Sequence, residues 1–79
     1  MEGVERASAI PDWAEIVGPQ LARVATPVGF NRSTLFVEVR SSAWLMELQM
    51  MERRLLAQLN TGRRKGKFNR IVFRLAEGG

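Results

Sequence analysis

Arg63-Arg64-Lys65-Gly66-Lys67 sets four cations within five positions, and Arg70 and Arg74 follow on one side of an alternating run. Such groups hold phosphates by charge and hydrogen bonding, without reading bases. Phe36 and Arg40 share one side of another alternating run. An aromatic ring beside guanidinium groups is the chemistry that holds single strands. Arg63, Arg64, Lys65, Lys67, Arg70, Arg74, Arg40 and Phe36 are therefore the candidate nucleic-acid contacts. The competing reading is a solubilising loop, with Phe36 packed under the N-terminal segment or in a dimer interface.

A second group, Trp44, Met46, Glu47 and Met50, suits a protein partner. Methionine is adaptable and tryptophan is a strong interface anchor. Trp44 is also read as a core residue whose ring edge can stay exposed. Met46 and Met50 lie off its stripe, with peripheral packing against a strand as the alternative.

Other chemistry is poorly provided for. The chain has no His and no Cys, which removes imidazole acid–base catalysis, thiol nucleophiles, disulfides and the usual zinc sites. No nucleophile–base pair and no phosphate-cradling glycine motif is present. Asp12 and Glu15 read as first-turn residues that favour a helix dipole. A non-enzymatic protein without a cofactor, metal or small-molecule substrate is expected.

The elements that position these residues follow from periodicity. Pro11 suits a helix start, and Trp13, Ile16, Val17, Leu21 and Val24 recur at helical spacing. Gly18-Pro19 interrupts them, so a kink or two short helices are expected. Thr26 to Phe30 reads as an edge or entering strand, Asn31-Arg32-Ser33 as a turn, and Thr34 to Arg40 as a strand with Leu35, Val37 and Val39 on one face. Ser41-Ser42 offers caps for a helix from Ala43 to about Leu59, with Trp44, Leu48, Met51, Leu55 and Leu59 as its apolar stripe. After the basic loop, Asn69 to Leu75 is a strand, with Ile71, Phe73 and Leu75 alternating against Arg70, Val72 and Arg74. The first nine residues read as a frayed end or a short helix.

The fold expected is α+β, of order α-β-β-α-β. It is a two-layer domain with two helices on one face of a three-stranded sheet. Its core holds Leu35, Val37, Val39, Leu48, Met51, Leu55, Ile71 and Phe73, with Trp13 beside them. A single domain spans 10–76, with an N-terminal segment at 1–9 and a tail stub at 77–79. The 79 residues, 46% of them apolar, suffice for one core. No apolar run approaches the roughly 20 residues that cross a bilayer, and Met1 to Arg6 is not a signal peptide, so a cytoplasmic protein with no membrane partner is expected.

Charge is lopsided. Residues 1–30 carry Glu2, Glu5, Asp12 and Glu15 against Arg6 and Arg23, a balance of −2, whereas the remainder sets ten Arg or Lys against Glu38, Glu47, Glu52 and Glu77, a balance of +6. The basic part argues for an anionic partner.

Three blocks resemble one known family. Trp13-Ala14-Glu15-Ile16-Val17-Gly18 with Thr26-Pro27 is similar to the first block of the DciA proteins, which bind the bacterial replicative DNA helicase. Leu35 to Arg40 feeding Ser42-Ala43-Trp44-Leu45-Met46-Glu47-Leu48 is similar to the second. Leu55-Leu56-Ala57-Gln58-Leu59-Asn60 and Ile71-Val72-Phe73-Arg74 are similar to the third. Order, spacing and both Trp positions agree over about residues 11–75. The resemblance implies a KH-like domain and a partner in the replicative helicase, with single-stranded DNA as a second partner. Many members carry a further helix ahead of the first Trp and a long disordered tail; neither is expected here. Gly62 and Gly66 do not form the Gly-x-x-Gly of KH domains, because three residues separate them and the segment joins a helix to a strand.

The leading expectation is a helicase-binding accessory of DNA replication, with Trp44, Met46, Glu47 and Met50 at the contact. A stand-alone single-strand-binding module and a self-association domain are the alternatives. Phosphate-driven binding weakens steeply with salt, whereas an apolar contact weakens little.

Overall fold

The computed structural model describes residues 5–6, 13–61 and 67–76. The elements are β1 (Glu5–Arg6), α1 (Trp13–Val17), α2 (Pro19–Val24), β2 (Ala25–Asn31), β3 (Thr34–Val39), α3 (Ser42–Met50), α4 (Glu52–Asn60) and β4 (Arg70–Leu75). The expected α-β-β-α-β order holds, with each expected helix divided in two. Glu5–Arg6 is neither frayed nor helical. It pairs antiparallel with Phe30 and Gly29 and adds a fourth strand.

The first division is the one Gly18-Pro19 announces. Gly18 has φ 95 and ψ 153, a region open to glycine and strained for other residues. Pro19 disfavours helical backbone at the residue before it and then starts α2 with its own φ already set. A Cβ at Gly18 would meet nothing within 4 Å, so the requirement for glycine is conformational rather than steric.

The second division departs from the expected helix of 43–59. Met51, with φ −96 and ψ 5, ends α3 and begins α4. Its N–H turns back to the Leu48 carbonyl at 3.0 Å, and its own carbonyl accepts from Leu55 at 2.9 Å. Neither Gly nor Pro marks the spot. The break leaves Met51 half-buried against the core rather than in it.

The sheet runs β1-β2-β3-β4. β2 and β3 form the expected hairpin, antiparallel from Ala25 opposite Val39 to Asn31 opposite Thr34, with a register shift between Pro27 and Gly29. β4 lies parallel to β3, from Thr34 beside Arg70 to Val39 beside Leu75. Parallel neighbours need a long crossover, and α3 and α4 supply it.

Leu35, Val37, Val39, Leu48, Leu55, Ile71 and Phe73 are buried in one core together with Trp13, Ala25, Leu59 and Phe68. Leu75, which alternates with Ile71 and Phe73 in sequence, is 48% exposed at the end of the outer strand. Two polar ties hold the layers together. Trp13 Nε1 donates to the Ala25 carbonyl at 3.0 Å, joining α1 to the start of β2. Asn60 donates to the Phe68 carbonyl and accepts the Phe68 N–H, both at 2.7 Å, joining the end of α4 to the chain that leads into β4. Phe68 in turn meets Phe30 edge-on, with ring centroids 5.9 Å apart. Among the described residues no helix is long and apolar enough to cross a membrane.

Two candidate interaction surfaces

The first surface begins with a cap. Ser41 Oγ accepts the Trp44 N–H at 3.3 Å, which fixes the first turn of α3. Trp44 is thereby held half-buried between the core and an open groove of about 390 Å³. Leu21 of α2 forms one wall; Ala43, Trp44, Glu47 and Met51 form the other. Met46 and Met50 stand outside the groove at 68% and 83% exposure. At about 100° per residue, Met50 lies some 60° around the helix from Glu47, and Met46 about 40° further. The four expected residues therefore form a graded surface: Trp44 and Glu47 line the hollow, and the two methionines extend it into solvent. Among the described residues, peripheral packing of the methionines against a strand is not found. Leu21 was not anticipated, because only the approach of α2 to α3 makes it a wall.

The second surface is the sheet face turned away from the helices. The parallel register puts Thr34 beside Arg70, Phe36 beside Val72 and Glu38 beside Arg74. Phe36, half-buried, is central to a hollow of about 630 Å³, lined by Asn31, Arg32, Thr34, Arg70 and Val72 as well. Arg32 sits in the hairpin turn with φ 57, uncommon for a residue with a side chain. The Ser33 carbonyl beside it accepts from Asn69 N–H at 2.8 Å and Arg70 N–H at 3.3 Å, so the turn is tied to the first residue of β4. Arg32 and Arg70 thus line one hollow around an aromatic ring. Sequence reasoning missed Arg32, because its place depends on the parallel register.

The remaining expected cations disperse. Arg74 lies 3.8 Å from Glu38, an exposed pair that offsets its charge. Arg40 is exposed past the opposite end of β3, about 20 Å of strand from Thr34. Lys67 is exposed beside buried Phe68. Arg63, Arg64 and Lys65 lie outside the described residues. Among the described residues no three His, Cys, Asp or Glu side chains gather in a way that could hold a metal ion.

Residues 1–73 match the family described as "Dna[CI] antecedent, DciA". A UPF0232 protein of Mycobacterium ulcerans is 36% identical over 56 residues, which is 71% of this chain and 30% of the relative. One from Mycolicibacterium smegmatis is 39% identical over the same length, 71% of this chain and 29% of the relative. One from Mycobacterium leprae is 45% identical over 47 residues, 60% of this chain and 25% of the relative. The matched part of this chain thus spans under a third of the length of these relatives.

Proposed function

This chain belongs to the DciA family, and from that membership we propose that it is a non-enzymatic accessory of DNA replication that binds the bacterial replicative helicase and assists its loading on DNA. The observation that carries this reading is the family match over residues 1–73, which takes in both Trp blocks. The groove beside Trp44 supports it with a fitting surface. A half-buried Trp, an exposed pair of methionines and a carboxylate at the wall suit a protein contact with an apolar centre and a polar rim. Such work takes place in the bacterial cytoplasm.

The test is capture of the cognate replicative helicase by this chain at low and high salt, with and without single-stranded DNA. Capture that survives high salt without DNA supports an apolar protein contact. Capture that depends on DNA and disappears with salt points to the second reading, a single-strand-binding module. The hollow that sets Phe36 among Arg32 and Arg70 favours that alternative. Stacking on one ring with two flanking guanidinium groups suits a short stretch of single strand, bound with little sequence preference.

A further inference from the structure

β4 is the last strand on its side of the sheet. The bonds from Arg70 N–H to the Ser33 carbonyl and from Ala76 N–H to the Val39 carbonyl show which residues turn their peptide groups toward β3. By alternation, the N–H and C=O of Ile71, Phe73 and Leu75 face the other way. Glu52 takes the Ile71 N–H through its Oε2 at 2.9 Å. Beyond Phe73 and Leu75 the sheet has no further strand among the described residues. Lys67, Arg70 and Arg74 are exposed along this strand and the residues leading into it, and Leu75 leaves apolar area open at its end.

We infer that the free edge of β4 is a docking site for an extended acidic segment of a partner protein, added antiparallel as a fifth strand. Paired strands supply affinity through main-chain bonds, and the side chains on each face supply selection. On the outer face, Arg74 selects a carboxylate opposite it, while Arg70 and Lys67 add positive charge at the near end of the strand. On the inner face, the exposed Leu75 selects an apolar side chain beside that carboxylate. The fitting segment therefore alternates acidic and apolar residues.

A second copy of this chain fits less well, for reasons of register. Antiparallel pairing of two β4 strands centred on Val72 sets Arg70 against the second copy's Arg74. Centring on Arg74 sets the two Arg74 side chains against each other. Centring on Phe73 requires the Ile71 N–H, which Glu52 already holds. Like charges directly opposite each other are destabilising, and charges on an edge strand are a common guard against self-pairing. An acidic guest that pairs at Phe73 and Leu75 sets a carboxylate opposite Arg74 and leaves the Ile71 N–H to Glu52.

Amide exchange, followed residue by residue on the isotopically labelled chain, tests the site. The probe is a blocked peptide Glu-Val-Glu-Ile-Asp, with Lys-Val-Lys-Ile-Lys as its control. In the free chain, Phe73 and Leu75 should exchange about ten-fold or more faster than Val72 and Arg74. The acidic peptide should slow Phe73 and Leu75 selectively, and the basic peptide should not. Leu75→Pro removes one outward donor without touching the β3 ladder and should abolish the slowing. Arg70→Glu keeps the Arg74–Glu38 pair and should weaken the acidic peptide, which provides a second variant if Leu75→Pro does not fold. No slowing with peptide at about 1 mM, the weak limit of specific affinity, overturns the inference. So does protection at Phe73 and Leu75 that rises with chain concentration alone, which would assign the edge to a second copy. Neither result depends on helicase binding.

Discussion

The carboxylate of Glu52 accepts the backbone N–H of Ile71 at 2.9 Å across a separation of 19 residues. Glu52 lies off the apolar stripe of Trp44, Leu48, Met51, Leu55 and Leu59. The break at Met51 makes it the first residue of α4, where it reaches the outer edge of β4. Glu52→Ala leaves that N–H to water or without a partner. Because the site is part-buried and the acceptor ionised, the expected loss is about 1–2 kcal/mol. Glu52→Gln keeps an acceptor and should lose less. Urea unfolding of the two variants checks the order, and Ile71 should be the amide whose exchange accelerates most in Glu52→Ala.

Asn60 holds both groups of the Phe68 residue, donor to acceptor and acceptor to donor. Asn60→Asp keeps the acceptor but turns an oxygen toward the Phe68 carbonyl. It should cost about 1–3 kcal/mol, the range for spoiling a part-buried polar contact. The same variant loosens the edge-on contact of Phe68 with Phe30, so near-ultraviolet circular dichroism should weaken with it. An unchanged denaturation midpoint would show that the chain between α4 and β4 is anchored elsewhere.

Met50→Glu separates binding from folding. At 83% exposure the side chain can accept a charge, and stability should stay within about 0.5 kcal/mol. Helicase capture should fall if the α3 surface is the contact. Leu55→Ala is the opposite control: its site is buried, and about 2–5 kcal/mol should be lost. Trp44→Ala touches both fold and groove, so its binding result means something only beside a thermal midpoint. If Met50→Glu leaves both stability and capture unchanged, the contact lies elsewhere.

Arg32 and Arg70 should matter more for single-stranded DNA than Arg74, whose charge Glu38 offsets. Replacing either with Gln should flatten the log–log salt dependence of binding by roughly 0.7 per lost phosphate contact. Arg74→Gln should change the slope less. Equal effects from all three would extend the path of the strand from the hollow around Phe36 along β4 to Arg74. A parallel replacement of Arg63, Arg64, Lys65 and Lys67 measures what the basic loop adds.

Local pattern was enough for much of this fold. Leu35, Val37, Val39, Ile71 and Phe73 alternate in sequence and are buried as alternation requires, because a strand's side chains take opposite sides whatever its neighbours are. Gly18-Pro19 announced its own break, since glycine admits a backbone that other residues avoid and proline fixes its own φ. The family resemblance was legible for the same reason: Trp13, Trp44 and their neighbours sit in short contiguous blocks. Tertiary structure alone decided the rest. Nothing local marks Met51 as a break, for its backbone lies in a region open to most residues, and the turn is made by which carbonyl its N–H meets. Nothing local shows that β4 runs parallel to β3. That depends on where α3 and α4 deliver the chain, and it is this register that sets Arg32 and Arg70 around one hollow, pairs Arg74 with Glu38, and leaves Phe73 and Leu75 at an open edge. Periodicity reports the side a residue faces; only long-range pairing reports which residue stands beside it.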